Sequence, residues 1–120
     1  MRGLTIIVAE MSSERFRAAL SLAAAQAALG GRARVFCQGE AVSVLRPPIR
    51  GMEDEAHEDA GLPTLDRLFE EALGLGVELI ACQSGLQLTN TDAATLDPRI
   101  TFGGLVSLMQ TLGEDRLVCV

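Results

Sequence analysis

Lysine, tryptophan and tyrosine are absent from this 120-residue chain, and histidine occurs once, as His57. All 10 basic residues are arginines. Without lysine there is no Schiff-base or pyridoxal chemistry, no phosphate-loop lysine and no Ser-Lys dyad. One histidine cannot build a multi-histidine metal centre, so a zinc site would need cysteine or carboxylate ligands as well. The three cysteines include no Cys-x-x-Cys pair, which argues against a structural zinc knot. Their odd number argues against a disulfide-stapled secreted domain. Four phenylalanines are the only aromatics, so there is no stacking platform for single strands. A net charge of −6 leaves no basic face for nucleic acid. No apolar run reaches the ~20 residues that span a bilayer. Met1-Arg2-Gly3 leads straight into a strand-like segment rather than a cleavable signal. The expectation is a cytoplasmic protein with reduced thiols and neither a nucleic-acid nor a membrane partner.

What is present suits one compact domain over residues 1–120. With 48% of the residues hydrophobic, a chain of this length buries roughly two-thirds of its surface and needs no staples. Leu4 to Ala9 is an apolar run rich in β-branched residues, as in a parallel strand covered on both faces. Ser12 and Ser13 offer helix caps, and Phe16, Leu20, Ala23 and Ala27 follow at helical spacing to Gly30-Gly31. Arg32 to Cys37 is a second strand, followed by a short apolar stretch from Ala41 to Leu45 that Pro47-Pro48 stops. From 46 to 62 the chain is polar and acidic, which predicts a solvated loop. Pro63 opens a second helix carrying Leu65, Leu68, Phe69, Ala72 and Leu73. Val77 to Ala81 is a third strand, Arg99 to Thr101 a short fourth, and Arg116 to Val120 the last. Gly103-Gly104 precedes a helix in which Leu105, Leu108, Met109 and Leu112 align. Strands alternating with helices predict a three-layer α/β/α domain with a mostly parallel sheet.

Open parallel sheets bind ligands outside the carboxyl ends of their strands. Glu10, Cys37 and Cys82 all fall at such ends. Cys82 is the best placed, because Gln83, Ser84 and Gly85 follow it into a helix whose free N–H groups would favour thiolate. Gly85 would also let backbone approach the sulfur. Against this stands the frequent role of free cysteine as a small buried hydrophobe. Both alternatives stay open for Cys82, whereas Cys119, inside the last strand, reads as packing. Arg15 and Arg17 oppose the dipole of the first helix and read as a solvated face costing about a few tenths of a kcal/mol. His57, amid Glu53, Asp54, Glu55, Glu58 and Asp59, reads as part of a hydrated run, and no metal site is expected. Glu10 alone is a weak candidate base.

The segment Gly76-Val77-Glu78-Leu79-Ile80-Ala81-Cys82-Gln83, followed by Phe102-Gly103-Gly104-Leu105 and a terminal strand, resembles the DsrE/DsrF/TusD superfamily. It is most similar to the peroxiredoxin-like DsrE branch, in which a Gly-Val-x-x-x-Ala-Cys-Gln strand precedes a Gly-Gly helix. The resemblance implies a five-stranded DsrE/F-like α/β/α domain that assembles into homo-oligomers, trimers or hexamers. It also implies a cysteine, here Cys82, that holds sulfane sulfur as a persulfide and passes it to a small sulfur-carrier protein without a cofactor. Glu10, Ser12, Cys37, Gln83, Ser84 and Gly85 are the accompanying candidate binding residues. The alternative is a non-catalytic oligomeric subunit or binding module in which Cys82 is packed and the 46–62 loop docks a partner. Here Ser84-Gly85-Leu86-Gln87 follows the Cys-Gln pair where the branch often carries methionines.

Overall fold

A computed structural model describes residues 1–120. Its strands are β1 (Leu4–Val8), β2 (Ala33–Cys37), β3 (Glu78–Cys82), β4 (Thr101–Gly103) and β5 (Arg116–Cys119). Its helices are α1 (Ser13–Ala28), α2 (Asp54–Asp59), α3 (Leu65–Gly74), α4 (Gln83–Leu88) and α5 (Leu105–Gln110), with 3-10 turns at Gly39–Leu45 and Ala93–Thr95. The strands form one sheet in the order β4-β3-β2-β1-β5. Every pairing is parallel. The domain is therefore α/β with a five-stranded, wholly parallel sheet, and no helix is long and apolar enough to cross a membrane.

The order of the strands decides which face each helix covers. From β1 to β4 the chain steps outward in one direction, and right-handed crossovers keep α1 and α3 on one face. There α1 packs on β1 and β2 and against α3. The chain then returns to the far side of β1 for β5, which reverses the step and sends α5 to the opposite face. Only that short helix lies there. Ile6, Val8, Val35 and Leu79 join Phe16, Leu20 and Phe69 in one continuous core. Ser12 caps α1 by accepting from the Arg15 amide at 3.2 Å, and Thr64 caps α3 in the same way from Arg67.

Several expectations need correction. The segment 46–62 is not simply a solvated loop, because it contains α2 and is pinned to the body by an ion pair. Asp54 meets Arg17 Nη2 at 2.5 Å and accepts from the Gly51 and Leu65 amides, each at 2.8 Å. Arg17 is accordingly no part of a solvated face: its side chain is 9% exposed, and it also donates to the Pro63 carbonyl. Arg15 is exposed as expected, with Glu10 at 3.6 Å. The fourth strand begins at Thr101 rather than Arg99, and the second major helix at Leu65, two residues beyond Pro63. Of the apolar positions in α5 only Leu108 is buried. Cys119 is exposed rather than packed, because β5 is an edge strand on the thinly covered side.

Candidate functional site

A wholly parallel sheet gathers the carboxyl ends of its strands on one edge, and this brings Glu10, Cys37 and Cys82 to a common side. They are nevertheless not one cluster. Glu10 follows β1, two strands from β3, which is roughly 10 Å at ordinary strand spacing. It turns to Arg15, and Ser12 is engaged as the α1 cap. Cys37 and Cys82 are separated in another way. Cys37 pairs with Ala81 in the β2–β3 register. Side chains alternate along a strand, so Cys82, the next residue, points to the opposite face. Cys37 is sealed in the core, and burial pushes its thiol up to about 12. It stays protonated and unreactive, and all three cysteines are free.

Cys82 sits where β3 gives way to α4. Its backbone is extended (φ −66°, ψ 124°), it occupies the N-cap position, and its side chain makes no capping hydrogen bond. The residue is 8% exposed. By register its neighbours are Gly103 on β4 and, two residues back along the same face, Ile80 with its partner Phe36. Gln83 and Ser84 are exposed beside it. Gly85 is buried, but the close approach it permits is to another element. A Cβ there would lie 2.4 Å from the Gly39 carbonyl oxygen and 2.7 Å from Val42 Cγ2. Gly85 thus seats α4 on the 3-10 turn Gly39–Leu45 and so fixes the helix that begins at the thiol.

On the same face, sequence reasoning missed a buried polar network. Arg34 on β2 donates through Nε to Thr5 Oγ1 at 3.0 Å and through Nη1 to Thr111 Oγ1 at 2.7 Å. Asp115 lies 3.8 Å from its Nη2 and accepts from the Thr5 hydroxyl at 2.8 Å. Burial and the neighbouring Arg32 lower the Arg34 pKa, against the opposing pull of Asp115 and Glu78. This network ties the end of α5 to β1 and β2. Beside it a pocket of about 220 Å³ runs between β3, β4 and α5, from Arg34 to Gly103, and stops short of Cys82. The one signal for it in the sequence was an arginine inside an otherwise apolar strand.

No family model matches the chain, and no curated protein matches it. Among solved structures, the YchN protein from E. coli superposes with a TM-score of 0.77 over 100% of both chains, at 21% identity. MTH1491 from Methanobacterium thermoautotrophicum, a protein of unknown function, superposes with a TM-score of 0.74 over 100% of both chains, at 17% identity. The fold is DsrE-like. In this DsrE-like fold the five parallel strands and their flanking helices cover the whole of both similar proteins, so the architecture is shared from end to end.

Proposed function

We propose that this DsrE-like protein relays sulfane sulfur through Cys82. The observation that carries the proposal is the contrast between its two strand-end thiols: Cys37 is sealed and held protonated, whereas Cys82 is uncommitted at a strand–helix junction. The Cys82 thiolate attacks the outer sulfur of a donor persulfide, R–S–SH. A sulfur–sulfur bond forms to Cys82 as the donor's own sulfur–sulfur bond breaks, and R–S⁻ leaves and takes up a proton. An acceptor thiolate then attacks the terminal sulfur and Cys82 departs as thiolate. Sulfur is exchanged without net oxidation or reduction, so the chain needs no cofactor. The acceptor we favour is the thiol of a small sulfur-carrier protein, and the chemistry suits the reducing conditions of a cytoplasm.

The test uses a Cys119→Ser background, which removes the exposed thiol that would react indiscriminately. After exposure to polysulfide and removal of excess, intact-mass measurement should find the protein heavier by one sulfur atom. The adduct should vanish in Cys82→Ser and pass to a small thiol on addition. No adduct, or one that survives Cys82→Ser, overturns the relay. A second role has its own support: α5 leaves Leu105, Val106 and Met109 exposed, as in a subunit that works by assembly with copies of itself. Full assembly with no sulfur uptake would favour that non-catalytic role.

A further inference from the structure

A concavity with an apolar floor lies away from Cys82, on the flank of α3. It has a volume of about 560 Å³, within the usual range of small-molecule sites. Its floor is apolar and belongs to the core: Leu45, Ile49, Phe69 and Leu96 all line it and are all buried. Pro47, Pro48 and Pro98 form its walls. Their fixed rings lose little freedom when a ligand binds, so the cleft is preformed.

The charges on its rim fall into two groups, one paired and one not. Arg99 reaches across from Asp97 to Glu70, with N–O distances of 2.8 Å to each carboxylate. Both of these carboxylates thus already have a cationic partner. One turn before Glu70 on α3 stands Asp66, and Arg50 lines the same cleft; both are exposed and in no ion pair. The segments that carry them meet, because a Cβ on Gly51 would lie 3.4 Å from the Leu65 Cβ, and each charged residue is one position from that contact. An unpaired cation and an unpaired carboxylate thus line one apolar trough, on segments that touch.

The geometry points to a binding site for a free α-amino acid with a large aliphatic or aromatic side chain. Asp66 receives the ammonium, Arg50 holds the carboxylate, and the side chain lies along Ile49, Phe69 and Leu96. Two opposite charges on a single carbon match one unpaired cation and one unpaired carboxylate carried on touching segments of the cleft. A peptide, whose terminal charges stand far apart, does not. Unlike the sulfur relay, this site owes nothing to Cys82.

Isothermal titration calorimetry and backbone amide NMR on the full chain test the site with L-leucine and L-phenylalanine. L-leucinamide and 4-methylpentanoate, each lacking one of the two charges, serve as comparators. The amino acids should shift amides within 45–50, 66–70 and 95–98. Each comparator should bind about tenfold more weakly or worse, as should L-leucine to Arg50→Gln and Asp66→Asn, since each change removes one charged hydrogen-bond partner. Both substitutions are at exposed positions, and circular dichroism verifies the fold. Binding should be unchanged in Cys82→Ser. No saturable binding up to the solubility limit, equal binding by either comparator, or shifts confined to other segments would overturn the assignment.

Discussion

Gly85 shows how much one absent methyl group can decide. The Gly39 carbonyl and the Val42 side chain occupy the space where its Cβ would stand, so even alanine forces α4 away from the 3-10 turn it packs on. Gly85→Ala should lose about 1–3 kcal/mol of stability, the usual cost of overpacking, seen as a lower urea midpoint at unchanged slope. An unaltered midpoint would show that α4 is not seated as described. A glycine after Cys-Gln-Ser was legible as a position of close approach, but its partner was not, because that partner lies 46 residues away in sequence and enters only through tertiary packing. Cys37 and Cys82 teach the same lesson. Both fall at strand ends in the sequence, but only the register, which pairs Cys37 with Ala81, shows that the two thiols point to opposite faces.

The acidic segment between β2 and α3 is held by one carboxylate among many. Asp54 is partly desolvated, which alone would raise its pKa. The Gly51 and Leu65 amides and the Arg17 guanidinium outweigh that and hold its carboxyl below the usual range. A carboxylate whose folded pKa lies below its unfolded value of about 3.9 stabilises the fold above that value, and the contribution disappears as pH falls through the folded pKa. Asp54→Asn should therefore cost about 1–3 kcal/mol at neutral pH. The gap from wild type should narrow as the pH drops below about 4. Hydrogen exchange at neutral pH should quicken across 51–65 while β1 to β3 keep their protection. A gap that is constant with pH would mean that the ion pair is not what pins the segment. In the sequence this run reads as solvated because α2 buries none of its residues. Nothing local separates Asp54 from its acidic neighbours; only Arg17, 37 positions earlier, does so. The strongly periodic α3 and the long, serine-capped α1 were legible, whereas β4, a strand of three residues, was displaced by two.

The two faces of the sheet are clothed unequally, and this follows from connectivity rather than composition. Alternating apolar runs were enough to foresee a layered α/β domain with a parallel sheet. They do not encode that β5 lies beside β1, and it is this placement that leaves a single six-residue helix on one face. The aligned apolar positions of α5 looked like a core stripe, yet one of them is buried while Leu105, Val106 and Met109 face outward, Val106 at 74% exposure. Leu117 and Cys119 on the edge strand β5 are exposed on the same thinly covered side. A run of apolar side chains that no element of the chain covers is costly in water, and burial against copies of the same surface removes that cost. We expect light scattering to give the mass of a homo-oligomer, a trimer or hexamer, for the wild-type protein. Val106→Glu should place a charge in the middle of each contact and shift the mass toward that of the 12.7 kDa single chain. Its circular dichroism should be unchanged, since the side chain is largely exposed on its own subunit. A wild-type protein that is monomeric at all accessible concentrations would show that this face stays open, and that α5 alone suffices to cover the sheet.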